Sequence, residues 1–497
     1  MVSTRSTLRK LRSRPAPAWW RDAKLGIFVH WTPASVPAFA PTRCDYGELL
    51  TSDSPTAFAE SPYVEWYENS LRFPDSSVSA HHRAVWGDRP YRSFAADFER
   101  GTELWDPAAW ASAFATTGAR YVVLVAKHMD GWCLWPTSVN NPMVPGWFSK
   151  RDIVGELADA VRGEGLRFGL YYCGGLDSTF CERPLGTMGD VIAAIPRSDY
   201  PAYAEAQLRE LIDRYRPSVL WNDVAWPGRA RALWPLLADY YAAVPDGIVN
   251  DRWLPWSPAM KIAAAAPGRR LVNAAVRRQT KSDGGLIPPR PPHFGYRTPE
   301  YTTFEEIQTV PWECVRGMDR SFGYNAESSE PDFLSRQELL WTLTDIASKG
   351  GNLLLNVGPR GVDAQIPPRQ LERLDWLGGF VGRNAAALIG TRPWVAPGTH
   401  TAEGDPVRYT ARGTQVFAYV RPSSGQATFR EIAATTATTV TTVGEATISG
   451  TTISGQPLGW RESDDGISVD LPPPGDDNLI VIAFEHVVPR DGVRSDR

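Results

Sequence analysis

The chain has 497 residues, 43% of them hydrophobic, enough to bury a large core, and this length usually means more than one domain. A formal net charge of −4 with intermixed signs offers no basic surface for nucleic acid or an anionic membrane, so a neutral or weakly charged substrate is expected. Residues 1–14 are basic but lead into Trp20-Arg21-Asp22-Ala23-Lys24 with no apolar h-region, and no run of eighteen apolar residues follows anywhere. The chain therefore reads as soluble and cytoplasmic. From 25 to 388, short apolar strands alternate with amphipathic helices, the pattern of βα units around a parallel sheet. Strands are expected at 25–31, at 121–128 after a helix started by Asp106-Pro107, and at 166–172 after a helix over 152–162. Further strands are expected at 218–223, after a helix over 204–215 ended by Arg216-Pro217, and at 247–253 and 352–359. Six or more such units favour an α/β fold of the (β/α)8-like barrel type, and no Gly-x-Gly-x-x-Gly follows any strand to suggest a dinucleotide fold. His81-His82 falls in what reads as a polar, solvated loop. Residues 254–293, rich in Ala, Arg and Pro, read as an insertion with one helix and a stiff exit. After Trp394 the pattern turns to period-two alternation at 414–420, 446–449 and 478–484, predicting a C-terminal antiparallel β-sandwich over 395–490 behind a catalytic barrel over 15–394. The polar tail from Arg490 to Arg497 is expected to fray.

The most informative stretch is Leu220-Trp-Asn-Asp223-Val-Ala-Trp-Pro227, which leaves one carboxylate among aromatic rings where a parallel strand ends. Barrel enzymes take their catalytic groups from such strand ends, and a ring beside a carboxylate suits the apolar face of a pyranose. The bland alternative is an Asp that caps the next helix. The other polar strand ends are His30, His128, Asp130, Tyr171, Tyr172, Asp251, Arg252 and Asn356, and all are expected to converge on one barrel mouth. A metallohydrolase would also gather His and Asp, but His-x-His and His-Glu-x-x-His spacings are missing and the two His lie on separate strands. The five cysteines are odd in number and lack Cys-x-x-Cys spacing, so reduced thiols are expected. Twenty Trp and seventeen Tyr are many, and such rings serve ligands that are apolar on one face and hydroxylated on the other.

The chain resembles the retaining α-L-fucosidases of glycoside hydrolase family 29. The stretches that carry the resemblance are Gly26-Ile-Phe-Val-His30-Trp31, Glu65-Trp66-Tyr67, Ala126-Lys-His128-Met-Asp-Gly-Trp-Cys-Leu-Trp135, Lys150-Arg-Asp152 and Phe168-Gly-Leu-Tyr171-Tyr172-Cys-Gly-Gly. They continue through Leu220-Trp-Asn-Asp223, Asn250-Asp-Arg252-Trp253, Arg297-Thr-Pro-Glu300-Tyr301, the run from Arg316 to Asn325 and that from Ser348 to Pro359. The resemblance implies a barrel followed by a β-sandwich, Asp223 as nucleophile and Glu300 as general acid/base. It implies sugar contacts from His30, Glu65, Trp66, His128, Tyr171, Trp221 and Arg252, no metal or cofactor, and a fucosylated oligosaccharide or glycoconjugate as partner. Three departures stand out: Met129 where the family usually has a second His, Ser178 where an aromatic is common, and the insertion between Arg252 and Glu300. Two other readings are a related glycosidase for another L-sugar such as α-L-galactose, and a catalytically silent carbohydrate-binding protein. The oligomeric state is not legible.

Overall fold

In the computed structural model, which describes residues 4–280, 285–443, 445–448 and 451–490, seven parallel strands form the central sheet. They are β1 (Leu25–Val29), β2 (Tyr121–Lys127), β3 (Arg167–Cys173), β4 (Val219–Asp223), β5 (Ile248–Val249), β6 (Trp312–Arg316) and β7 (Gly351–Val357). Their order in space is β5-β4-β3-β2-β1-β7-β6. The gap between β5 and β6 is spanned by an irregular extended stretch over 295–301. Gly295 N–H donates to Val249 O on one side (2.9 Å), and on the other Arg297 N–H donates to Pro311 O (2.9 Å) and Glu313 N–H to Arg297 O (2.8 Å). This stretch is the eighth stave of the barrel.

The strands are apolar throughout because both faces are covered. Side chains alternate between them: Phe28, Tyr121, Val123, Tyr171, Trp221 and Leu354 fill the barrel interior, whereas Ile27, Val122, Leu124, Leu170, Leu220 and Leu355 pack outward with the surrounding helices. Two expectations are corrected here. The strand expected at 247–253 pairs only over Ile248–Val249, because the Asn250 side chain takes over the ladder, accepting from Asn222 N–H (3.0 Å) and donating to Asn222 O (2.9 Å). Strand β6 was not expected at all, since Glu313 interrupts its apolar pattern. Glu313 is buried, accepts a hydrogen bond from Tyr121 Oη, and has its carboxyl pushed up to about 8 by burial.

Two further expectations fail. His81 and His82 lie on a helix, Ser77–Trp86, capped by Ser76, whose hydroxyl accepts from Ser79 N–H (3.0 Å). His82 is buried against Tyr67 Oη (2.7 Å) and Arg89 O (2.7 Å), and His81 stacks on Phe39. The insertion holds two helices, Pro258–Ala264 and Ala266–Gln279, separated where the helical pattern restarts at Ala266-Pro267.

Antiparallel pairing begins at Arg392–Pro393 and builds a sheet in the order Arg392–Pro393, Val407–Arg412, Gln415–Val420, Ile480–Glu485, Thr439–Thr442. Val407, Tyr409, Val416 and Phe484 of this sheet share one core with Phe429, Ile467 and Val469 of a second sheet, the packing of a β-sandwich. The strand expected at 446–449 is Glu445–Ile448, which pairs with Thr451–Ser454; Ser449 and the expected frayed tail over 491–497 lie outside the described residues.

Candidate active site

The strand alternation that fills the barrel also selects which polar groups reach its mouth. Tyr171, Trp221 and Asp223 share the inward face of β3 and β4. Tyr172, one residue from Tyr171, necessarily points the other way and donates to Gln207 Oε1 outside the sheet (2.9 Å). Asp130, in the turn after β2, is likewise held away from the mouth, accepting from Tyr91 Oη (2.9 Å) and Trp132 N–H (3.1 Å). These two do not join the converging set. The nine expected site residues do: His30, Glu65, Trp66, His128, Tyr171, Trp221, Asp223, Arg252 and Glu300 all line one cavity of about 440 Å³. Met129 lines it too.

Both candidate carboxylates sit on unusual backbone. Asp223 is followed by Val224 (φ 57°) and Ala225 (φ 69°), and Glu300 by Tyr301 (φ 53°). Left-handed conformations cost a non-glycine residue on the order of 1–3 kcal/mol and persist only where neighbours over-determine them. After Asp223 the fixing contacts are Asn222 Nδ2 to Ala225 O (2.9 Å) and Gly175 N–H to Asp223 O (3.1 Å). Gly175 can only be glycine, for a Cβ there would lie 1.8 Å from Val224 O. No helix follows Asp223 directly; Val224 N–H donates to Asp223 Oδ1 (2.8 Å), so the capping alternative fails. Glu300 is held by a two-way backbone pair with Leu286 (3.0 and 2.8 Å).

One guanidinium joins the two acids. Arg252 donates from Nη1 to Asp223 Oδ1 (2.9 Å) and from Nη2 to Glu300 Oε2 (2.8 Å), with Nε on Thr298 Oγ1 (3.3 Å) and its plane over the Trp221 ring. Tyr171 Oη donates to Asp223 Oδ2 (2.8 Å), and Tyr63 Oη to Glu300 Oε1 (2.9 Å). Burial works against the charge of Arg252, but Asp223 and Glu300 outweigh it and hold its pKa above the ordinary value. Burial, reinforced by the carboxylates they face, raises both tyrosines well above the usual phenol range, so they stay O–H donors.

The remaining groups are poised as neutral hydrogen-bonders. Burial lowers His128 to about 4 and drives His30 well below its ordinary value, the neighbouring His128 adding to the effect on His30. His30 Nδ1 is held by Asn356 Oδ1 (2.6 Å) and its ring stacks on Phe322. His128 stacks on Tyr171, which stacks on Trp221. Burial pushes Glu65 up to about 8, against the pull of its own and Gly323's backbone N–H groups, and neither of its oxygens meets a side-chain donor. A cavity with two bridged carboxylates, neutral imidazoles and aromatic walls suits an uncharged polyhydroxylated ring. Sequence reasoning missed Tyr63, Tyr46, which stacks on it at 4.6 Å, and Phe322. Tyr63 sits two residues before the Glu65-Trp66 motif, and nothing in its local pattern marks it.

The chain matches the family model described as alpha-L-fucosidase over residues 3–386. It is 32% identical over 486 residues to an alpha-L-fucosidase of Branchiostoma floridae, covering 94% of this chain and 91% of that one. With the tissue alpha-L-fucosidase of Bos taurus it shares 30% identity, covering 87% and 81%. Among solved structures, the Thermotoga maritima alpha-fucosidase in complex with fucose superimposes with a TM-score of 0.76 at 33% identity, over 96% of this chain and 98% of that one. On barrel, cavity and family match together, the chain belongs to the alpha-L-fucosidase family of glycoside hydrolases.

Proposed function

We propose that the protein is an exo-acting retaining glycosidase that removes terminal α-L-fucose through a covalent glycosyl-enzyme on Asp223. The observation that supports this reading is the Arg252 bridge, which holds two carboxyls, those of Asp223 and Glu300, on one guanidinium in the cavity at the barrel mouth. Retaining enzymes place such groups about 5–5.5 Å apart. In the first step Asp223 bonds to the anomeric carbon, the glycosidic C–O bond breaks, and Glu300 gives its proton to the departing oxygen. In the second, Glu300 takes a proton from water, the water oxygen bonds to the anomeric carbon, and Asp223 leaves as a carboxylate. Two inversions give net retention. Since Tyr63 and Arg252 both donate to Glu300 in the free site, one of these contacts gives way for Glu300 to carry the proton, and it can re-form once the proton is delivered. His30, Glu65 and His128 meet the sugar hydroxyls, Tyr171 and Arg252 orient Asp223, and Trp66 and Trp221 face the apolar side of the ring.

Met129 favours a second reading. A thioether donates no hydrogen bond and accepts only weakly, so a site that has Met there discriminates less at the facing hydroxyl, and a related L-sugar could be preferred. A screen with aryl α-L-fucoside, aryl α-L-galactoside and aryl β-D-galactoside decides. The fucoside is expected to be cleaved fastest. A faster α-L-galactoside would install the second reading, and fucose binding without hydrolysis of any of them would make the protein a silent binder.

A further inference from the structure

The cavity does not end at the sugar-sized space around Asp223. It extends beyond that space along the helix Met188–Ala194 and the insertion, which pack on each other, and there its chemistry changes. Met188, Ile192, Met260, Val272, Val276 and Leu286 form its wall there. Among the described residues that the insertion contributes to this wall, Gln279 is the only one with a polar side chain. The inner end, by contrast, carries Asp223, Arg252, Glu300, two His and Glu65.

The wall is built into the fold. Asn273 Oδ1 accepts from Gly189 N–H (2.7 Å), Arg269 Nη1 donates to Asp190 Oδ1 (2.8 Å), and Arg277 pairs with Asp53 (3.0 Å). The two helices approach so closely that a Cβ on Gly189 would lie 2.7 Å from Arg269 O. At its inner edge the wall is tied to the candidate acid/base, because Leu286 and Glu300 exchange backbone hydrogen bonds. An apolar surface left open in this way, continuous with a polar catalytic end, has to be covered by part of what binds there.

We propose that this outer chamber is the aglycone site and that the insertion selects α-L-fucosides whose leaving group is apolar, an alkyl chain or an aromatic ring, over those linked to a second sugar. The proposal rests on the fucosidase reading above. A sugar aglycone would bring hydroxyls to a wall with almost no partners for them, and an unpaired buried polar group is penalised. An alkyl or aryl group loses nothing there and gains from leaving water.

The test compares kcat/KM on methyl α-L-fucoside, n-octyl α-L-fucoside and an α-L-fucosyl-galactose disaccharide. Methanol and octanol are leaving groups of similar basicity, so their difference reads the wall and not the chemistry. Octyl is expected to exceed methyl by about tenfold or more, mainly through KM, and to exceed the disaccharide. In Val272→Asp the octyl-to-methyl ratio is expected to collapse towards one; Met260→Asp is the second variant, and the melting temperature of each shows that it folds. Equal rates on octyl and methyl, a disaccharide cleaved best, or a ratio that survives in both folded variants would overturn the chamber while leaving the fucosidase reading intact. Hydrolysis of none of the three fucosides, nor of an aryl fucoside, would overturn that reading and the chamber with it.

Discussion

Asp223 and Glu300 are held by one guanidinium, yet they come from opposite kinds of structure. Asp223 ends a regular strand that pairs with β3 residue by residue, out to Cys173 opposite Asp223 itself. Glu300 belongs to an irregular stave, fixed by isolated backbone contacts with Leu286 and with β6. The regular element positions its acid through a ladder shared with the whole sheet. The irregular one depends on the insertion that immediately precedes it, so the residues around Glu300 can change with the aglycone while Asp223 stays with the barrel. The Tyr partners mirror this division: Tyr171 comes from a strand, Tyr63 from a loop.

If the two acids differ as proposed, removing each breaks a different step. Asp223→Gly is expected to lower kcat on every fucoside by several powers of ten, with the melting temperature little changed and partial recovery when azide is added. Near-native hydrolysis of an aryl fucoside by this variant would remove Asp223 from the mechanism. Glu300→Ala is expected to lose on the order of 10²–10⁴-fold on a disaccharide, whose leaving group needs a proton. It should lose far less in the glycosylation step with a good phenolate leaving group. Equal losses on both substrates would contradict the acid/base role. Glu305 and Glu306 are exposed and Glu313 lies inside the barrel below the cavity, so the same pattern is not expected at any of the three.

The tyrosines sharpen the contrast at smaller scale. Each donates one hydrogen bond, worth about 0.5–1.5 kcal/mol, so Tyr171→Phe and Tyr63→Phe should each cost up to about tenfold in kcat/KM. The Tyr63→Phe loss should depend on leaving-group basicity, and the Tyr171→Phe loss should not. Identical dependence in the two would mean that the acids are not separately served. The smallest effect concerns Glu65, another carboxyl of the cavity. Burial raises Glu65 in the folded state to about 8, so its contribution to stability is fully present below the ordinary carboxylate range and is lost as pH rises through about 8. Glu65→Gln should therefore gain a few degrees in melting temperature over the native chain at pH 8 and little at pH 4. A gain independent of pH would show that Glu65 is not held neutral by the fold.

Much of this is legible in the sequence. Periodicity located the strands of the barrel that are apolar on both faces, and the ends of those strands gave His30, His128, Tyr171, Asp223 and Arg252. The failures have physical causes. Glu313 broke the apolar pattern of β6, because a buried acid with a tyrosine donor looks in sequence like a loop residue. Tyr172 was counted with Tyr171 although neighbours on a strand face opposite ways. Tyr63 and Phe322 lie on loops and Tyr46 on the first turn of a short helix, Tyr46–Thr51; their placement depends on long-range packing, and no local period records it. The insertion reads as one helix with a stiff exit, and its second helix and its apolar face towards the cavity emerge only once it packs beside Met188 and Ile192.

The central claim is that Asp223 becomes bonded to the sugar, and covalent trapping tests it most directly. The native protein would be incubated with a fluorinated α-L-fucosyl fluoride analogue that forms the glycosyl-enzyme quickly and hydrolyses slowly, then digested and sequenced by mass spectrometry. One fluorofucosyl group on the peptide that contains Asp223, attached at Asp223 itself, is the predicted result. A label on Glu300, Glu65 or any other residue, or turnover of the analogue with no labelled protein at any time, would contradict the account.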